Sequence, residues 1–174
     1  WKPSNYTDEF YGLTTMRTGI EKSRNLMTVR LANRIGMNKI LSMANKFDIN
    51  QGLDKNLSMS LGSGVVTLIE LTNAYAIIAN GGKKIEPKLI TSIYSKDGKK
   101  IYDTRLKKCS ECRIKKILPK NEIPNLEETK NIIIDPRLAY QITSMMEGVI
   151  KRGTAKKLND LNVPMAGKTG TTNN

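Results

Sequence analysis

Two triplets carry side chains suited to nucleophilic or acid–base chemistry: Ser23-Arg24-Asn25 and Lys168-Thr169-Gly170. The first offers a hydroxyl and, two residues on, an amide that both donates and accepts hydrogen bonds. The second offers an ammonium, a hydroxyl and a residue without a side chain. The chain has no histidine. That excludes Ser-His-Asp and Cys-His sites, His-ligated zinc and a His general base. Any catalytic base must be Lys, Asp, Glu or Tyr. Each triplet also has an ordinary reading. Ser and Asn often cap helices, and a Lys-Thr-Gly run suits an edge strand with a bulge. The two cysteines form one pair, Cys109-Ser-Glu-Cys112. A zinc ribbon needs a second pair, and a thioredoxin-like motif belongs near a βαβ pattern. The pair therefore reads as a local disulfide or two idle thiols, closing too small a loop to add much stability.

The elements that must position the triplets are mostly helical. A short helix is expected from Thr14 to Lys22, interrupted by Ser23-Arg24-Asn25. A second, with Leu26, Val29, Leu31 and Ile35, stops at Gly36. A third runs from Met37 to Phe47, with Ile40, Leu41, Ala44 and Phe47 at helical spacing. Leu57, Met59 and Leu61 alternate like a short strand or an ordered loop. Thr67 and Glu70 match a capping box, and Leu68, Leu71, Ala74, Tyr75, Ile78 and Ala79 are expected to form the buried face of the helix that follows. Asn80-Gly81-Gly82 ends it. Lys88–Ser95 alternates as a strand, Asp97-Gly98 is a hairpin turn, and Lys99–Thr104 returns. Residues 106–134 are charged and irregular and read as an insertion. Asp135-Pro136 starts a helix as N-cap and N1, with Leu138, Ile142, Met145, Met146 and Val149 inward. A helical turn over 155–161 and a glycine-broken strand over 163–172 complete the chain. Glu70 is expected to act only as a cap, and Arg24 as a solvated or phosphate-facing side chain.

Composition bounds the class. Among 174 residues, 39% are hydrophobic and 26% charged, which fits a globular chain. No run approaches the roughly 20 apolar residues of a membrane helix. The net charge of +13 admits a nucleic-acid binder. Aromatics at 5% leave few stacking platforms, and the lysines are spread rather than striped. A solvated basic surface is the simpler reading, one also at ease beside anionic lipid head groups. The chain opens at Trp1 without a methionine, so it is expected to be a piece of something longer.

Together the motifs resemble the class A, bifunctional penicillin-binding proteins. Ser-x-x-Lys, Ser-Asp-Asn and Lys-Thr-Gly form the motif set of those enzymes and of class A β-lactamases, and the second and third elements stand here in order. The run from Tyr11-Gly12 through Ser23-Arg24-Asn25 to Val29-Arg30 resembles their helix-loop-helix. So do Ser58–Ser63, Thr67–Ala76, Ala79–Gly82, Gly153-Thr154-Ala155 and Ala166–Asn173. The segment around Cys109 and Cys112 resembles one in the 1A-type members. The resemblance covers nearly the whole chain.

That resemblance implies an α/β fold of the serine β-lactamase and penicillin-binding type: an antiparallel sheet with a mainly helical subdomain. Residues 1–174 would be part of a transpeptidase domain. It implies D,D-transpeptidation of peptidoglycan stem peptides ending in D-Ala-D-Ala, through a serine acyl-enzyme that β-lactam antibiotics block. It implies no metal or organic cofactor and no specific nucleic acid. A glycosyltransferase domain and a membrane anchor would precede this region, and the site would sit on the periplasmic face of the inner membrane. By motif match, Ser23 would shuttle a proton toward the leaving amine, and Asn25 would hold the substrate amide. Lys168 would supply positive potential. The hydroxyls of Thr169 and Thr171 would bind the terminal carboxylate, the Thr171 N–H would donate to the oxyanion, and Gly170 would let the substrate backbone approach. No serine in the chain has a lysine three residues later, so the nucleophile is expected upstream and the fragment alone is expected to be inactive. A missing sheet neighbour would leave an exposed edge and apolar surface. Rival readings are a serine β-lactamase, a β-lactam sensor or a D,D-carboxypeptidase of the same fold and, from another class, a basic nucleic-acid-binding module.

Overall fold

The computed structural model describes residues 1–7, 9–49, 52–104 and 131–170. Two compact units emerge: residues 1–85 with 132–174, and residues 86–131. The first is helical: α1 (Met16–Glu21), α2 (Asn25–Ile35), α3 (Met37–Lys46), α4 (Leu68–Ala79) and α5 (Pro136–Lys151), with 3-10 turns at Leu57–Leu61 and Lys156–Leu161. The second contains a hairpin of β1 (Ser92–Tyr94) and β2 (Lys100–Asp103). Among the described residues, no helix is long and apolar enough to cross a membrane. The described residues thus hold one helical unit and, in the other, a small antiparallel sheet.

The helix ends follow the local chemistry expected of them. Thr67 Oγ1 accepts from the Glu70 N–H while the Glu70 carboxylate accepts from the Thr67 N–H, a closed capping box at α4. The Asp135 side chain accepts from the Arg137 N–H ahead of Pro136 at the start of α5. At the hairpin, Ser92 faces Asp103 and Ile93 faces Tyr102. Ser95 N–H closes on the Lys99 carbonyl at 2.8 Å, with Gly98 left-handed in the turn.

The core sits around α4 and α5. Phe47, Ala74 and Ile77 form a buried cluster, with Ile49, Ile78, Ile85, Ile133 and Ile134 packed on it. Val149 is fully buried on α5 beside Met146 and Ile150. Ile132 pairs with Lys83, and the Ile133 N–H donates to the Gly82 carbonyl at 2.8 Å. The end of the 106–134 segment is thus tied into this unit. Residues 106–130 of it, with Cys109 and Cys112, lie outside the described residues.

Three sequence expectations are corrected, and one left open between strand and ordered loop is decided. On α4 the buried residues are Asn73, Ala74 and Ile77, while Leu68, Leu71 and Tyr75 are exposed. That helix is apolar on almost every side, so spacing does not select a face. On α5 Leu138 and Ile142 are exposed, and Ala139, Met146, Gly148 and Val149 are buried. Small residues decide this face, because they let α1 come close. The alternation at Leu57, Met59 and Leu61 belongs to a 3-10 turn and not to a strand. Asn56 Oδ1 accepts from the Met59 N–H and the Ser60 hydroxyl donates to the Leu57 carbonyl, so side chains close the turns locally. Residues 164–170, expected as a strand, are extended but belong to no ladder among the described residues. Their backbone contact to the helices is Gly167 N–H to the Met146 carbonyl, 3.3 Å.

Candidate active site

The site begins at the end of α1. Ser23 N–H donates to the Ile20 carbonyl at 3.1 Å and Arg24 N–H to the Gly19 carbonyl at 2.9 Å. This is a Schellman closure, with Ser23 at the position where glycine is usual. Ser23 accordingly has a φ of 53°, a left-handed conformation that costs a residue with a Cβ roughly 1–2 kcal/mol. The closure turns the chain sharply and presents the Ser23 hydroxyl between α1 and α2.

The ordinary capping role for this triplet is not what the structure shows. No side chain of the triplet caps α2. Asn5 Oδ1 accepts from the Leu26 N–H at 3.2 Å instead. Asn25 Nδ2 donates to the Ser4 carbonyl at 3.1 Å. Arg24 is not simply solvated: its guanidinium stacks 3.2 Å from the centre of the Tyr11 ring.

The second wall is the extended segment after α5. Lys168 Nζ donates to Ser23 Oγ at 2.7 Å, bridging 145 residues of sequence. It also donates to the Thr169 carbonyl at 2.9 Å. Although Lys168 is exposed as a residue, its ammonium end is crowded between these partners. The resulting desolvation pushes its pKa below the ordinary lysine value. The Thr169 hydroxyl is 2.7 Å from that of Thr154. A Cβ added at Gly170 would meet nothing within 4 Å, so the packing of this chain does not require a glycine there. Thr171 lies outside the described residues. A cleft of about 450 Å³ runs beside Lys168 and Thr169, with Ile150, Leu158 and Met165 on its apolar side.

The two motifs therefore converge. The family model described as penicillin binding protein transpeptidase domain matches residues 1–174. The chain belongs to the penicillin-binding protein transpeptidase family. It is 44% identical over 174 residues to penicillin-binding protein 1A of Rickettsia bellii, covering 99% of this chain and 22% of that protein. It is 30% identical over 203 residues to penicillin-binding protein 1A of Pseudomonas aeruginosa, covering 99% and 25%. The crystal structure of penicillin-binding protein 1A from Haemophilus influenzae superposes with a TM-score of 0.82 at 27% identity, covering 99% and 28%. The chain thus spans about a fifth to a quarter of the length of these 1A-type penicillin-binding proteins.

Within this family frame, one charged group that motif reading does not single out is built into the junction. Glu21, the last residue of α1, is buried at 6% exposure. Its carboxylate accepts from Arg152 Nη2 and, at 3.2 Å, from Arg152 Nε. Arg17 lies 3.7 Å away and reaches the Ser144 carbonyl on α5 at 3.1 Å. The Arg152 guanidinium holds the Glu21 carboxyl below its ordinary value of 4.5 against the opposing effect of burial. A lone acid in a basic chain looks like surface. The available signal was the pair Gly148 and Gly153, two small residues close together where α5 ends.

Proposed function

We propose that the protein carrying this chain is a serine-type D,D-transpeptidase that cross-links peptidoglycan stem peptides ending in D-Ala-D-Ala and is acylated by β-lactams. The observation that carries this reading is the 2.7 Å contact from Lys168 Nζ to Ser23 Oγ. It supports one cleft walled by a hydroxyl relay on one side and a cation on the other. The nucleophilic serine and its lysine lie in sequence outside this chain, and the chain alone does not acylate. The same reading gives the protein a glycosyltransferase domain, a membrane anchor and a periplasmic site, as a 1A-type penicillin-binding protein would have.

In the reaction, Ser23 accepts a hydrogen bond from Lys168, passes its proton to the leaving amine of the departing D-Ala and takes in its place the proton that the upstream lysine removed from the nucleophilic serine. Asn25 accepts from the substrate amide through its carbonyl oxygen. Lys168 stabilises the oxygen lone pair of Ser23 and the terminal carboxylate of the substrate by charge. The hydroxyls of Thr169 and Thr171 receive that carboxylate, the Thr171 N–H donates to the oxyanion, and Gly170 admits the substrate backbone. The Thr154 contact sets the direction in which the Thr169 hydroxyl points.

Labelling of the full-length protein by a fluorescent penicillin tests this. Lys168→Ala is expected to abolish labelling, and labelling at the unaltered rate would overturn the assigned role. Slow release of the bound penicillin distinguishes a transpeptidase from a β-lactamase, which would turn it over.

A further inference from the structure

We infer that Glu21 is a positioning residue for the cleft: its bond to Arg152 fixes the distance between the Ser23 loop and the Lys168 segment. This rests on the transpeptidase reading and adds to it a residue that no motif assigns.

The geometry forms a closed circuit. Glu21 is two residues before Ser23, and the Schellman closure leaves little freedom between them. Arg152 is two residues before Thr154 on the other wall. The Glu21 carboxylate holds the Arg152 guanidinium at two points. The Glu21 carbonyl accepts from the Thr154 N–H at 3.1 Å. Lys22 Nζ donates to the Arg152 carbonyl at 2.7 Å, satisfying an otherwise open group at the C-terminus of α5. Thr154 then meets Thr169, and Lys168 returns to Ser23. Each wall is thus tied to the other directly at the reacting groups and again beneath them.

The space around the carboxylate is shaped to it. A Cβ built on Gly148 would fall on the Glu21 carboxylate, and one on Gly153 would fall on the Glu21 carbonyl. The chain therefore comes close to Glu21 at two points, one within α5 and one just past its end, where a side chain would displace the carboxylate or crowd the backbone. A charge-assisted, two-point bond to a planar guanidinium is directional. An apolar contact of the same area would hold α1 against α5 without fixing this distance to a fraction of an ångström, and small displacements of reacting groups are costly to rate.

The test is the second-order rate of acylation by a fluorescent penicillin, together with the stoichiometry at completion, in the full-length protein. Glu21→Gln keeps the shape and removes the charge. Labelling that still reaches completion, but on the order of tenfold more slowly, is the expected result. Should Glu21→Gln not fold, Arg152→Lys carries the test. It keeps the charge, loses the fork, and is expected to slow acylation in the same direction. A purely structural role would lower the stoichiometry and leave the rate of the remaining active molecules unchanged; that result, or an unaltered rate at full stoichiometry, overturns the inference. Failure of the unsubstituted protein to label at all would count against the transpeptidase reading instead.

Discussion

Two junctions in the helical unit are built from opposite materials. Around α4, Ile77 is fully buried against Phe47 and Ala74 with isoleucines from three other segments. Around the end of α1, the buried group is a carboxylate, met by two arginines and backed by glycines. Apolar burial is roughly proportional to area and indifferent to direction. It secures α4 but tolerates small shifts. The charged junction gains less net stability, because desolvating a carboxylate offsets much of the attraction. What it gains is direction. The stability of this unit comes mainly from the first junction and the geometry of the cleft from the second.

Three substitutions or conditions separate these roles. Ile77→Ala should have the largest effect on stability, roughly 2–5 kcal/mol from lost burial and a residual cavity. Hydrogen exchange of α4 in the full-length protein should show it, while the acylation rate of folded molecules stays the same. A matching fall in that rate would mean the α4 core also shapes the cleft. Gly148→Ala should come next, at roughly 1–3 kcal/mol for overpacking. Because the added methyl group displaces the Glu21 carboxylate, this change should slow acylation as well as lower the temperature at which labelling is lost. A loss of stability without any slowing would blur the contrast between the junctions. The smallest effect is on pH dependence. Glu21 has a folded pKa below its unfolded value near 4.5, through its Arg152 bond. The stability it contributes is therefore present above that unfolded value and is lost as pH falls through the lower, folded one. The difference in labelling midpoint temperature between the unaltered protein and Glu21→Gln should be constant near neutrality and close below about pH 4.5. A gap that persists unchanged into acid would assign the effect to shape and not to charge.

Much of this was legible in the residues. Thr67 with Glu70, Asp135 with Pro136 and Asp97-Gly98 each announce a local geometry through their own hydrogen bonds, and each forms as expected. The convergence of Ser23 and Lys168 was legible only through motif resemblance, since nothing local in either triplet points across 145 residues. The buried faces of α4 and α5 were legible only in part: Ala74, Met146 and Val149 are buried as expected, but α4 is apolar on several sides, which leaves the choice to its neighbours, and small residues shift the packed face of α5. The extended segment at 164–170 follows the same rule: strand character needs a partner ladder, which spacing alone cannot supply. Glu21 was hidden for a different reason. A single acid becomes structural only when a distant arginine and two distant glycines surround it.

The left-handed turn at Ser23 sets two needs of the protein against each other at one position. Glycine there would relieve the crowding between the side chain and its own backbone, and the loop would be more comfortable. The same replacement would delete the hydroxyl through which Lys168 reaches the opposite wall. Comfort and competence at residue 23 exclude one another, so the strain in the bend is the mark of a working hydroxyl.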